Sequence, residues 1–151
     1  MTPINSTVSA QVVTSAPTST TVTPSTTTLV GSVEGTISIN NVNMTEGNSG
    51  TKNFVFTVTR SGDVSGVSSV DYATASGTAT GGGPNPIPVS DFISVSGQVS
   101  FGVGSTTGTI TVKVKGDIIV EQNETFFVNL SNCVGCSITD NQGVGAILND
   151  D

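Results

Sequence analysis

Seven short runs organise the chain from residue 36 onward: 36–42 (TISINNV), 53–60 (NFVFTVTR), 67–75 (VSSVDYATA), 92–101 (FISVSGQVSF), 108–115 (GTITVKVK), 124–131 (ETFFVNLS) and 143–149 (GVGAILN). In each, Val, Ile, Thr or Phe interleave with polar residues, and Gly, Asn and Ser cluster between one run and the next. A period of two puts apolar side chains on one face of an extended strand. Nowhere do about 10–15 residues carry apolar side chains at helical spacing. The chain is thereby restricted to an all-β fold, and seven strands of this length between turn residues predict a seven-stranded antiparallel β-sandwich of immunoglobulin-like size.

Composition agrees and narrows the function. Of 151 residues, 34% are apolar, enough for one packed core, and 18 Gly and 6 Pro supply the turns. Four basic residues stand against eleven acidic ones, a net charge of −7. Such a surface lacks the basic footprint that nucleic acids require. No run of about 18 apolar residues is present, so no membrane insertion is expected. The chain has no His and no Trp, which rules out a Ser-His-Asp triad, a Cys-His pair and His-ligated zinc. Two carboxylates suffice for glycoside hydrolysis, but with 5% aromatic residues the platforms that usually hold sugars are scarce. No enzyme and no catalytic residue is expected.

Two parts are distinguished: a Ser/Thr-rich extended segment, 1–34, and the sandwich domain, 35–151. Residues 1–33 contain no charged side chain, and nearly half are Ser or Thr. Such a stretch suits a flexible or polyproline-like stalk. Its many Thr and Val residues, and the alternation of Val8, Ala10 and Val12, equally suit a strand that needs a partner sheet. Pro17 and Pro24 limit such strands to short pieces.

Strand parity gathers the acids. If successive strands alternate in direction, the first, third and fifth connections and the end of the seventh strand share one end of the sandwich. Glu46 lies in the first connection, Asp91 closes the third, Asp117, Glu121 and Glu124 belong to the fifth, and Asp150 and Asp151 follow the last strand. Seven of eleven carboxylates therefore meet. Two carboxylates about 5 Å apart repel by roughly 3 kcal/mol at an effective dielectric of about 20, and Lys52, Lys113 and Lys115 are too few to neutralise seven. A hard divalent cation would do so, and calcium takes six to eight oxygen ligands from flexible loops. On charge pattern alone, independently solvated loop acids remain an equal reading.

The stretches ISINNVNMTEGNSG, VDYATASGTAT, VSDFISVSGQVSFGVGSTTGTITVKVKGD, VEQNETFFVNLSN and GVGAILNDD occur in an order and spacing that resemble the Calx-beta domain. This is the calcium-binding sandwich of sodium–calcium exchangers and of many large bacterial surface proteins, and the latter type is the nearer in character. The resemblance covers about residues 35–151. It implies calcium ligands at the Glu of the EG turn, Glu46, and the Asp of SDF, Asp91. It adds the three acids of the D-x-x-x-E-x-x-E-x-F element, Asp117, Glu121 and Glu124, and the closing acids Asp150 and Asp151. A backbone carbonyl at Ile119 is implied as well. The closing run reads NDD in place of three acids, so Asn149 offers only a neutral amide oxygen. The loop GGGPNPIPV before Ser90 is longer than the family's usual connection.

Cys133 and Cys136 form CVGC in the sixth connection, at the end opposite the acids by parity. Redox activity needs a neighbour that lowers a thiol pKa, and zinc needs two further ligands that the chain does not hold. The favoured reading is a disulfide between Cys133 and Cys136 that tightens an exposed loop, which implies an oxidising, extracellular setting. Together these features predict an extracellular, cell-surface module with Ca2+ as its cofactor and a structural or adhesive role. The expected partners are calcium ions and either neighbouring domains of a larger surface protein or other copies of the chain. In the second case residues 1–33 join subunits head-to-tail into a filament.

Overall fold

A computed structural model describes residues 34–84 and 89–151. The expectations placed on residues 1–33 lie outside the described residues. Alternation of apolar side chains builds two packed sheets, with no helix among the described residues. The first sheet contains β1 (Gly35–Ile39), β3 (Thr51–Ser61), β5 (Gly81–Gly82), β6 (Phe92–Ile93), β8 (Thr107–Lys115) and β10 (Cys136–Ile138), in the order β10-β1-β3-β8-β6-β5. The second contains β2 (Val42–Thr45), β4 (Ser68–Ser76), β7 (Ser96–Phe101), β9 (Glu124–Val134) and β11 (Gln142–Leu148), in the order β2-β11-β9-β4-β7.

The all-β sandwich stands, but the expected seven antiparallel strands become eleven, and three pairings are parallel: β1 with β10, β2 with β11, and β5 with β6. The main cause is that two of the expected strands cross between the sheets. The run 36–42 divides at Asn40 and Asn41. Asn40 Oδ1 accepts the Thr57 N–H at 2.7 Å, and Asn41 Oδ1 accepts the Val144 N–H at 2.8 Å. Each amide thus replaces a ladder partner while the backbone passes from β1 in one sheet to β2 in the other. The run 92–101 divides in the same way at Ser94 and Val95, where Thr74 Oγ1 accepts the Val95 N–H at 3.0 Å. Direction is kept across both crossings, so the parity argument survives the change in strand count.

Phe126 sits at the centre of the core, stacked on Phe92 with ring centroids 4.6 Å apart and edge-on to Phe56 at 5.9 Å. Phe54 lies at 5.8 Å. Aromatic pairs in these geometries add to the large apolar area that each ring buries. Gly145 opposes Phe126 across the β9–β11 ladder. A Cβ there would come within 2.3 Å of the Phe126 ring, so the ring occupies the space that a side chain would need.

Cys133 and Cys136 form a disulfide with Cα atoms 5.5 Å apart. It tightens an exposed turn, at Val134 and Gly135, set directly between two strands, since β9 continues through Cys133 and β10 begins at Cys136. Gly135 turns the chain between them at φ 67°. The bond therefore fixes the step by which the backbone leaves the second sheet and joins the first.

Candidate metal centre

The connections at one end of the sandwich carry the acids. Glu46 follows β2 and is 5% exposed. The next residue, Gly47, turns at φ 79° and donates its N–H to Asp150 Oδ1 at 3.0 Å. Asn48 Nδ2 donates to Asp151 Oδ1. These bonds draw the closing acids over the first loop, and Glu46, Asp150 and Asp151 present oxygens within 4.8 Å of one another.

Asp91 is fixed from both of its ends. Its N–H donates to Thr80 O at 2.8 Å, and its Oδ2 accepts the Thr80 N–H at 2.6 Å. Its carbonyl accepts the Lys115 N–H at 2.8 Å, so the SDF element stays in place although the preceding connection is long. Asp91, Glu121 and Glu124 form a second group, again with oxygens within 4.8 Å. Asp117 lies between the two groups and acts electrostatically on both Glu46 and Glu121. Its Oδ1 accepts the Ile119 N–H at 2.7 Å and bends the loop.

All seven acids singled out in the sequence are thus brought to one end. Asp63 lies at the far end beside Gly35, and Asp71 lies within β4. Asp140 belongs to neither end. It sits part-way along the flank, where its N–H approaches Ile37 O, because the chain returns from β10 to β11 at mid-height.

The crowding is written in the protonation of the acids. Burial, then Asp117, Glu121, Asp151 and Asp150, push Glu46 up to about 7. Burial, then the charge and hydrogen bond of Asp91, push Glu124 up to about 7 as well, with Glu121 contributing. Burial and the charges of Asp117 and Asp91 raise Glu121. A buried carboxylate surrounded by others favours its neutral form unless a cation is present.

The donor set is all oxygen, from carboxylates, amides and backbone carbonyls, which fits a hard cation of the calcium type. A further donor bears on the fit. Asn149 Oδ1 is buried and, among the described residues, accepts no hydrogen bond. An orphaned buried acceptor is costly unless something positive reaches it. Two supporting residues carried no sequence signal of their own. Asn123 Oδ1 accepts the Asn149 N–H at 3.0 Å, tying the fifth connection to the last strand. Lys115 Nζ donates to Ser90 Oγ at 2.6 Å beside the second group.

The profile of the Calx-beta domain matches residues 33–145. The chain belongs to the Calx-beta domain family. The match closes before Asp150 and Asp151, whose place in the site rests on the geometry above. This Calx-beta chain is 34% identical over 79 residues to the sodium/calcium exchanger Calx of Drosophila melanogaster, covering 52% of the chain and 8% of that protein. It is 31% identical over 104 residues to extracellular matrix protein 3 of Lytechinus variegatus, covering 65% of the chain and 3% of that protein. The chain therefore spans only a small fraction of either relative.

Among solved structures, the apo-form Calx CBD1 domain superposes with a TM-score of 0.67 at 26% identity, over 78% of this chain and 99% of that one. The calcium binding domain CBD12 of CALX1.1 superposes at 0.65 and 27% identity, over 76% of this chain and 46% of that one. The Calx CBD2 domain shares the fold at 13% identity with a TM-score of 0.64.

Proposed function

We propose that this Calx-beta domain binds calcium at the acidic end of the sandwich, and that the ions act structurally. One observation carries the reading: Glu46 is almost fully buried among four other carboxylates, and burial first, then their charges, raise it to about 7. Glu46, Asp150 and Asp151 would hold one part of the bound charge. Asp91, Glu121 and Glu124 would hold the other, with Asp117 between them. The orphan Asn149 oxygen supports an additional neutral contact. Bound calcium supplies the positive charge that these acids lack, and the chain supplies four segments, the loop after β2, the residues leading into β6, the β8–β9 connection and the end of β11, which binding fixes together. The solved relative described as a calcium binding domain supports the same assignment.

The test is thermal unfolding in chelator, in millimolar calcium and in equal magnesium. Binding to the native state alone stabilises it by about 2.7 kcal/mol at a hundredfold excess over Kd. We expect a rise of several degrees that is specific to calcium and is lost in Glu121→Gln. Identical unfolding in chelator and calcium overturns the reading.

The disulfide supports an oxidising location, at the cell surface or outside the cell, and the likeness to an extracellular matrix protein supports the same. Within that location the domain acts as a structural, adhesive module. The absence of charge from residues 1–33 supports association between copies through that segment, as a subunit of a filament.

A further inference from the structure

Among the described residues, one edge of the sandwich is unprotected. β7 closes the second sheet; its ladder goes to β4, and among the described residues nothing pairs with its outer side. The other outer strands, β2, β5 and β10, have four, two and three residues, against six in β7. The sequence of β7, SGQVSF, contains neither charge nor proline, the devices by which natural edges avoid recruiting a further strand. Inward of that edge a groove of about 350 Å3 runs from Ser100, Phe101 and Gly102 across Val67 and Ser68 to Val134 of β9. Val67 and Val134 are 71% and 65% exposed, whereas Ser68 is 5% exposed and its buried Oγ has no hydrogen-bond partner. An added strand would meet the open backbone groups of β7.

The chain itself carries a segment of matching chemistry. Every charged residue lies in 34–151, so two folded bodies, each at −7, repel each other. Residues 1–33 bring no charge to an edge that has none, and Val8, Ala10 and Val12 alternate with polar residues as a strand requires. Chain direction favours a segment from another copy. Thr36 pairs with Ser61, and Arg60 N–H donates to Thr106 O, so β1 begins at the end of the sandwich where β7 finishes. A chain's own segment running straight into Gly35 would lie parallel to its β7. A segment from another copy is free to run antiparallel, the slightly more stable pairing.

We propose that the outer edge of β7 and its groove accept residues 1–33 of a second copy of this chain as an added β-strand. This rests on the self-association reading above and not on calcium. Donor and acceptor are different surfaces, so the contact is heterologous and repeats from copy to copy.

The test is light scattering of the full chain over a range of concentrations in chelator, together with amide hydrogen exchange at Ser96–Phe101. The comparisons are the double variant Ser96→Lys/Ser100→Lys and a chain lacking 1–33, whose residues 34–151 contain both complete sheets. The expected result is a mass that grows with concentration for the full chain only, with β7 amides protected in its assemblies. A synthetic peptide of residues 4–16 added to the shortened chain should protect the same amides, which keeps the test sharp if the double variant folds poorly. Assembly that persists in a folded double variant or in the shortened chain overturns the proposal. So does a monomeric full chain, whether its β7 amides exchange freely or are protected by its own segment. Because assembly is read in chelator, its failure is separate from any failure of the calcium titration.

Discussion

Gly116 passes so close to Gly47 that a Cβ on Gly116 would lie 2.0 Å from the Gly47 carbonyl oxygen. The two residues open the two loops that carry Glu46 and Asp117, and their contact is what lets those carboxylates share a site. Gly116→Ala should force the loops apart. We expect a loss of about 1–3 kcal/mol in stability and a weaker calcium response, measured by unfolding with and without calcium. A variant that keeps the full calcium shift would show that the close approach is not needed.

Removing an acid should have opposite effects in the two conditions. Glu46→Gln keeps the shape of the side chain and deletes a buried charge that its neighbours oppose. In chelator at pH 8 the variant should be more stable than wild type, by about 2 kcal/mol. In calcium it should be less stable than wild type. Destabilisation of the variant in chelator as well as in calcium would mean that Glu46 is not a repelled charge.

The same shifts set a pH dependence. Glu46 and Glu124 are raised to about 7 in the folded state from an ordinary value of 4.5. Between these limits the folded, metal-free protein holds protons that the unfolded chain has released. Its stability is therefore fullest below about 4.5 as far as these two groups are concerned, and falls as pH rises towards 7. Calcium has to displace those protons, so its affinity should weaken below pH 7. Calorimetric titration at pH 6 and pH 8 should show weaker binding with proton release at pH 6.

The core makes two predictions of unequal kind. Phe126→Ala removes the ring that Phe54, Phe56 and Phe92 surround, and should cost about 3–5 kcal/mol. Gly145→Ala adds one methyl group against that ring and should cost about 1–3 kcal/mol by overpacking. Combining the two should cost less than the sum, because the cavity accommodates the methyl group. Denaturant unfolding of the three variants measures this coupling.

Reduction of the Cys133–Cys136 bond should destabilise the domain modestly, since a closed loop of four residues removes little chain entropy, of order 2 kcal/mol. It should leave calcium affinity unchanged, because the bond lies at the opposite end from the acids. Titration of the Cys133→Ser/Cys136→Ser variant separates these effects.

The fold class and the clustering of the seven acids were legible in the sequence because both follow from period and direction alone. Strand count was not. The crossings at Asn40–Asn41 and Ser94–Val95 interrupt the ladder without interrupting the alternation, and only tertiary pairing reveals that Thr57, Val144 and Thr74 take over the hydrogen bonds. The role of CVGC was half legible. Spacing suggested a disulfide, but not that the bond lies where β9 gives way to β10. Asn123 was the least legible member of the site, because a neutral amide in a loop looks the same whether it faces water or a backbone N–H.

The parallel pairing of β2 with β11 has a mechanical meaning. Four residue pairs join Val42–Thr45 to Gly145–Leu148. Tension applied through the segments before β1 and after β11 draws these strands in opposite senses along their length. The bonds between them are then loaded in shear, all at once, and cannot open one after another from an end as a hairpin does. The Gly47–Asp150 bond closes the same junction at the acidic end. A domain built in this way resists being pulled apart far better than its modest core suggests, and ions gripping both strands beside that junction would raise its yield force further.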